Sequence, residues 1–255
     1  IAFSAVLATW IIREWMGAGD ATAMGMVAGC ILAMLACGGL GLFSGTMVAV
    51  FGVPPFVTSL GMMMVASGLA YLLSGGLSIY QLPTSFDWLG RGDDLLGIPN
   101  AVVLMIILYL LAHLLMSRTV VGRQVYAVGG NPEAARLSGV PVKKILLWVY
   151  AGSGALAGLG GIVMASQFIS GDPKYGLMYE LYVIAAVVVG GTSLSGGRGK
   201  VFGTLIGAFI IAVIQNGMNL TGVQSYTQKV VLGLVLLAAV LLDVLKKRGW
   251  KLRTN

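Results

Sequence analysis

Residues 22–48 read TAMGMVAGCILAMLACGGLGLFSGTMV, an apolar stretch without a single charged side chain. About twenty apolar residues are enough for a helix to cross the hydrocarbon core of a lipid bilayer. A helix suits that environment because all of its backbone hydrogen bonds are made within the segment. The stretch therefore predicts a membrane-spanning helix.

The composition of the whole chain agrees with this interpretation. Of 255 residues, 58% are hydrophobic and only 10% are charged, whereas about a quarter of the residues of a soluble domain are charged. The 38 glycines favour helices that pack closely in lipid. Gly41/Gly45 and Gly154/Gly158 are GxxxG pairs, although such pairs also arise by chance in a chain so rich in glycine. Together these features exclude an ordinary soluble domain.

Further apolar segments predict an all-α fold, a polytopic transmembrane helical bundle of about eight spans in a single domain, 1–255. The chain begins within an apolar run, so we expect it to be truncated, with N-terminal spans missing. The segment 177–192 is short for a span and is expected to be tilted, broken or re-entrant. The predicted spans are 1–12, 22–48, 54–75, 98–116, 144–169, 177–192, 201–219 and 227–245.

The basic residues predict the orientation. If the C-terminal tail is cytoplasmic, the inside loops hold twelve of the sixteen lysines and arginines, as the positive-inside rule requires. The opposite side is acidic. The twelve residues are Arg118, Arg123, Arg136, Lys143, Lys144, Arg198, Lys200, Lys246, Lys247, Arg248, Lys251 and Arg253.

Several classes of function are disfavoured. The net charge of +7 does not indicate a nucleic-acid partner, because the basic residues lie at the ends of apolar runs rather than in one patch. Cys30 and Cys37 are interpreted as small packing residues, with no disulfide and no metal site. His113 is expected to have a packing or an interfacial role rather than a catalytic one. We predict that the chain is not an enzyme. The energy for any work that it does must then come from another subunit or from an ion gradient.

The longest inside loop contains a compact helix signal at 131–140. Asn131 is suited to cap the first turn, Pro132 to occupy the first helical position, and Glu133 to meet the positive end of the helix dipole. Gly139 is a typical stop, and Pro141 prevents continuation. A helix of about two turns is unstable alone in water and needs support from neighbouring protein.

The glycine-rich stretch GGTSLSGGRGK at 190–200 lacks a nucleotide-binding pattern. In the phosphate-loop pattern, Leu194 stands in place of the first glycine and Val201 in place of Ser or Thr. The stretch is predicted to be a tight inner turn with Arg198 and Lys200 near the lipid headgroups. We therefore expect no cofactor in this chain.

Polar side chains within the segment 201–219 predict a translocation pathway, because such groups tend to face a wet cavity in a membrane protein. Gly203 and Gly207 on the opposite side predict a close-packing face. Hydrogen bonding between helices is the alternative role for the polar residues. The predicted pathway residues are Thr204, Gln215, Asn216 and Asn219.

Three long motifs carry a resemblance to a known family: GRQVYAVGGNPEAARLSGVPVKKI at 122–145, YELYVIAAVVVGGTSLSGGRGKVFGTLIGA at 179–208 and QNGMNLTGV at 215–223. From about residue 21 to its end, the chain resembles the integral membrane permease subunits of bacterial ABC importers for monosaccharides, the ribose-type permeases. The GIDLSVG-like motif usual in the earlier part of such permeases is absent.

The resemblance implies import of a monosaccharide such as ribose across the bacterial inner (cell) membrane, with ATP hydrolysis in a partner subunit. The implied partners are a cytoplasmic ABC ATPase, a periplasmic or extracellular sugar-binding protein, and a second permease subunit in a homo- or heterodimer. The segment at 131–140 would be the coupling helix that docks on the ATPase, a contact that the turn at 190–200 could share. The implied docking residues are Glu133, Ala134, Ala135, Arg136, Leu137, Ser138 and Gly139.

Two alternatives remain open at this point. One is an ABC permease for nucleosides or branched-chain amino acids. The other is an ion-coupled secondary transporter, which would need carboxylates near the middle of the membrane. Glu180 and Asp243 both lie near the ends of predicted spans, so the second alternative is the weaker one.

Overall fold

The computed structural model describes residues 1–17, 21–93 and 97–252. This part of the chain is helical and contains no β-strand, which confirms the predicted all-α class. The basic side chains from Lys246 onward lie outside the described side chains. The α-helices are Ala2–Trp15 (α1), Ala23–Ala49 (α2), Pro55–Ser74 (α3), Trp88–Arg91 (α4), Asn100–Arg118 (α5), Val120–Gly130 (α6), Pro132–Leu137 (α7), Val142–Phe168 (α8), Tyr179–Val189 (α9), Val201–Leu220 (α10) and Ser225–Leu252 (α11).

Each predicted span overlaps one of these helices. Five of the described helices, α2, α3, α5, α8 and α10, are long and apolar enough to cross a membrane. Helix α9 has 11 residues, about 16 Å at 1.5 Å per residue, against a hydrocarbon core of about 30 Å. The number of about eight spans therefore stays a prediction.

Local chemistry accounts for where several helices begin and end. The Thr22 side chain accepts a hydrogen bond from the backbone N–H of Gly25 at 3.2 Å, which caps α2. Helix α3 begins with Pro55, a residue whose missing N–H costs nothing at the first position. It ends at Gly75, whose φ of 61° places it in the left-handed region.

The chain divides into two compact units. The first contains residues 1–107 and 141–177, and the second contains residues 108–140 and 178–255. Helices α1 to α4 and α8 thus belong to the first unit, and α6, α7 and α9 to α11 belong to the second, while α5 runs from one into the other.

The first unit is built on close packing between α2 and α8. A Cβ atom at Gly41 would collide with the carbonyl oxygen of Tyr150, and one at Gly154 would collide with that of Cys37. The two GxxxG pairs therefore face each other, and their missing side chains let the backbones touch. Cys37 is buried in this contact, which confirms the prediction that it is a packing residue.

Burial is uneven among the helices. In α1, Val6 and Ile12 are completely buried, so this helix lies inside the first unit. In α5, by contrast, no residue of the most apolar 18-residue window is buried. Leu110 and Leu111, for example, are exposed. An apolar surface of this extent is expected to contact lipid or a further membrane subunit.

Candidate functional site

The predicted loop helix is present as α7. The side-chain oxygen of Asn131 accepts hydrogen bonds from the N–H groups of Glu133 at 3.1 Å and Ala134 at 3.0 Å. Pro132 occupies the first helical position. At the other end, the N–H of Gly139 donates to the carbonyl oxygen of Arg136 at 3.0 Å, and its φ of 80° is the left-handed conformation that ends many helices. The predicted start and stop of this helix are confirmed.

Helix α7 presents most of its surface to the outside of its own unit. Ala135 is buried, whereas the other six predicted docking residues are exposed, and Leu137 is 83% exposed. The side chains of Glu133 and Arg136 form an ion pair at 2.9 Å. Because both are well exposed, this pair contributes little to stability. The structure therefore supplies a preformed, accessible helix with one cationic and one large apolar side chain.

Helix α7 is supported by α6, which ends immediately before it. The two helices are in contact, and the N–H of Asn131 donates to the carbonyl oxygen of Ala127 in α6 at 3.1 Å. Helix α6 is itself capped by Thr119, whose hydroxyl accepts from the N–H of Gly122 at 3.2 Å. This meets the expectation that so short a helix must rest on neighbouring protein.

The glycine-rich stretch 190–200 is a turn between α9 and α10, as predicted. Gly191, Gly196 and Gly197 have positive φ angles, and the N–H of Ser193 donates to the carbonyl oxygen of Arg198 at 2.9 Å. Glycine adopts these angles without the steric cost that a side chain would incur.

His113 makes a packing contact, which is one of the two roles predicted for it. Its ring lies against that of Phe202 in the first turn of α10, with the ring centroids 4.5 Å apart.

The predicted pathway residues lie at two ends of α10. Thr204 is in the first turns, and its hydroxyl lies 3.5 Å from that of Thr192. Gln215 is partly buried, and Asn216 and Asn219 are exposed. From Thr204 to Gln215 is about 16 Å along the helix at 1.5 Å per residue, so the four side chains do not form one cluster.

Gln228, in the first turns of α11, is a partner of Asn219 that the sequence did not reveal. Its side-chain amide donates to the Asn219 side chain at 2.8 Å and to the carbonyl oxygen of Val223 at 2.8 Å. Asn219 thus makes the interhelical hydrogen bond that was the alternative to a pathway role. A lone glutamine at the edge of an apolar segment gives no signal of this pairing.

The predicted close-packing face of α10 is confirmed. A Cβ atom at Gly203 would collide with the carbonyl oxygen of Gly190, and one at Gly207 would collide with that of Ala186. Helices α9 and α10 therefore touch through their backbones where α9 ends.

A second feature that the sequence did not reveal is a cap on the first unit, formed by residues 77–92 and 166–175. The Ser166 hydroxyl donates to the carbonyl oxygen of Phe86 at 2.6 Å and accepts from the N–H of Gly90 at 2.8 Å. The Ser78 hydroxyl donates to the Asp172 carboxylate at 2.6 Å, beside an antiparallel bridge between Ile79 and Gly171. Long-range polar contacts thus order these loops.

Tyr175 belongs to this cap. Its hydroxyl lies 2.6 Å from that of Ser170, and burial raises the pKa of the Tyr175 hydroxyl above its ordinary value. The phenol is therefore neutral at physiological pH and acts as a hydrogen-bonding group.

In the part of the chain that the structure describes, five apolar helices of membrane length place the protein in the class of polytopic membrane proteins. Residues 1–240 match the family described as branched-chain amino acid transport system / permease component. The chain belongs to this family. No solved structure matches it.

Curated relatives agree with the resemblance drawn from the motifs. The chain is 45% identical to the ribose import permease protein of Bacillus subtilis (strain 168), over 74% of this chain and 59% of the relative. It is 41% identical to the probable ABC transporter permease protein YphD of Escherichia coli (strain K12), over 77% of this chain and 59% of the relative. It is 38% identical to the D-allose transport system permease protein of the same organism, over 85% of this chain and 66% of the relative. The matches thus span about three fifths to two thirds of these relatives' lengths.

Proposed function

We propose that this chain is the transmembrane permease subunit of an ABC importer that moves a monosaccharide such as ribose across the bacterial inner membrane. The observation that carries the proposal is the family match over residues 1–240, joined by relatives named for ribose and D-allose transport. The resemblance of the motifs around α7 and the turn at 190–200 supports it further.

The proposed topology is a single permease domain of about eight spans with a cytoplasmic C-terminus. It places α7 and the turn at 190–200 on the cytoplasmic side. The concentration of basic residues in these loops supports this orientation.

The proposed mechanism is mechanical. ATP-driven closure of two cytoplasmic ATPases would push α7, and the spans would switch between outward and inward openings. A sugar-binding protein would deliver the solute from outside, and a second permease subunit, identical or homologous, would complete the pathway. ATP hydrolysis then belongs to the partner, and α7 contributes an exposed surface that includes Glu133, Arg136 and Leu137.

The pathway assignment is retained as part of this proposal. Gln215, Asn216 and Asn219 would line its outer end, and Thr204 its inner end. The polarity of these side chains in an otherwise apolar helix supports the assignment, while the bond between Asn219 and Gln228 supports an interhelical role for that one residue.

Substitutions in α7 test the docking assignment. In Arg136→Glu the helix keeps its cap but presents a negative charge, and in Gly139→Pro the left-handed turn cannot form because proline fixes φ near −65°. We expect both variants to insert normally, to fail to retain the ATPase in affinity purification, and to transport at least tenfold more slowly. The magnitude follows because disruption of an anchoring residue at a protein interface costs about 2 kcal/mol or more.

Arg118→Glu is the matched control, because it makes the same change of charge at an exposed site at the end of α5, ahead of α6 and α7. It should retain the ATPase. Normal transport and normal ATPase retention by both α7 variants would show that the docking assignment is wrong.

The family description itself names branched-chain amino acids, so these are the second candidate substrates. The two candidates are separated by the reconstituted complex of full-length permease, ATPase and binding protein. We expect a monosaccharide to stimulate ATP hydrolysis and leucine, isoleucine and valine to have no effect. Stimulation by the amino acids alone would overturn the sugar assignment.

A further inference from the structure

The glycine-rich turn at 190–200 lies directly against the end of α6. The Tyr126 hydroxyl in α6 donates a hydrogen bond to the carbonyl oxygen of Gly199 at 2.9 Å. One turn further along α6, a Cβ atom at Gly129 would lie 2.8 Å from the amide nitrogen of Gly197. A Cβ atom at Gly196 would collide with the carbonyl oxygen of Gly129. The two backbones are therefore in direct contact.

The same turn is fixed at its other side to the pair of helices that it joins. Gly190 at the end of α9 touches Gly203 in α10, backbone against backbone. The hydroxyls of Thr192 and Thr204 lie 3.5 Å apart across the start of the turn. The turn thus contacts α6 at its tip and the α9–α10 pair at its base.

Helix α7 is coupled to the same end of α6. Only Asn131 separates the two helices, and its N–H is bonded to the carbonyl oxygen of Ala127 while its side chain caps α7. A displacement of α7 must therefore act on the last turn of α6, which is the turn that carries Gly129 and follows Tyr126.

We propose that the turn at 190–200 transmits the movement of α7 to α9 and α10, with Tyr126 as the positioning residue that holds the turn on α6. This inference rests on the proposed role of α7 as the ATPase-docking helix. Glycine-to-glycine contacts are suited to transmit a displacement from one helix to the next. Close-packed backbones resist compression, and they lack flexible side chains that could absorb the displacement. Thr204, a predicted pathway residue, lies at the receiving end.

Tyr126→Phe is the primary test, because it removes the hydroxyl and keeps the ring. In the reconstituted complex with the ATPase and the loaded binding protein, we expect the solute transported per ATP hydrolysed to fall about fivefold, the factor that one net hydrogen bond represents. The maximal transport rate should fall while the half-saturating concentration of binding protein stays constant. The ATPase should remain bound, since α7 is unchanged.

Tyr226→Phe is the matched control, because Tyr226 is 79% exposed near the start of α11, and it should behave as the unmodified protein. Gly196→Ala is the second variant. The φ of Gly196 is 82°, which disfavours alanine, and the added methyl group would push the turn away from Gly129. It should lower the same transport-to-ATP ratio.

The outcomes separate this inference from the proposed function. An unchanged ratio in Tyr126→Phe, with the ATPase bound, would overturn transmission through this contact and leave docking through α7 intact. Dissociation of the ATPase from Tyr126→Phe would also overturn it, because the contact would then serve only to support α7. Failure of docking itself would instead appear as normal ATPase retention by Arg136→Glu.

Discussion

At the scale of single residues, Asn131 stabilises the first turn of α7. It satisfies two N–H groups of the first turn, and removal of such a cap costs about 1 kcal/mol. In Asn131→Ala we expect faster hydrogen exchange of the amides at 133–138 and weaker ATPase retention. Asn131→Asp is the matched control, since aspartate caps equally well. Equal protection of these amides in the alanine variant and the unmodified protein would contradict the prediction.

Ser166 is the comparable residue in the first unit. Its buried hydroxyl bonds both Phe86 and Gly90, so Ser166→Ala would leave a carbonyl oxygen and an N–H group without their partner at a cost of about 1–3 kcal/mol. We expect a lower thermal unfolding temperature in detergent. Ser59→Ala should be nearly neutral, because that exposed hydroxyl bonds only within its own helix. Equal unfolding temperatures for the two variants would show that Ser166 does not hold the cap.

At the scale of elements, the close backbone contact between α2 and α8 can be tested directly by substitution. Gly41→Ala would place a methyl group against the carbonyl oxygen of Tyr150, and overpacking of this kind typically costs about 1–3 kcal/mol. We expect a reduced yield of folded protein and a lower unfolding temperature.

Gly39→Ala is a closely matched control two residues away in the same helix. A Cβ atom at Gly39 would meet nothing within 4 Å, and alanine has the higher helix propensity, so this variant should be as stable as the parent or more so. Similar destabilisation by both substitutions would refute the contact.

Elements whose signals are local could be predicted from the sequence, and those that depend on distant partners could not. Helix α7 was predicted because its cap, its proline and its terminal glycine lie within nine residues of one another. The pairing of Gly41 with α8 was not, because a GxxxG pair does not specify which helix it meets. The cap built on Ser166 was missed for the same reason, since Phe86 lies eighty residues earlier.

The candidate site shows the same division. Helix α7 was predicted from the motif, and the docking role of its residues stays a prediction. The hydrogen bond between Tyr126 and Gly199, by contrast, joins residues 73 positions apart. Gln228 gave no signal because its partner, Asn219, lies beyond the turn that precedes α11. A polar stripe therefore predicts that a helix face does not contact lipid. Whether that face meets water or another amide depends on the fold.

At the scale of the whole molecule, the proposed topology depends on how often the chain crosses the membrane between defined points. Among the described residues between Leu77 and Leu137, one helix, α5, is long and apolar enough to cross. Its 19 residues span about 28 Å. Leu77 is 75% exposed and Leu137 is 83% exposed. Single cysteines at these two positions should therefore label from opposite sides of the membrane.

The measurement uses a membrane-impermeant thiol reagent on Leu77→Cys and Leu137→Cys, each in a background with Cys30→Ala and Cys37→Ala. We expect Leu77→Cys to label from outside and Leu137→Cys to label only in inverted vesicles, because the positive-inside rule predicts that the basic α7 loop lies inside. The two conclusions are separable. Labelling of both from one side would show that α5 does not cross, and a reversed pattern would keep the crossing but remove α7 from the reach of a cytoplasmic ATPase.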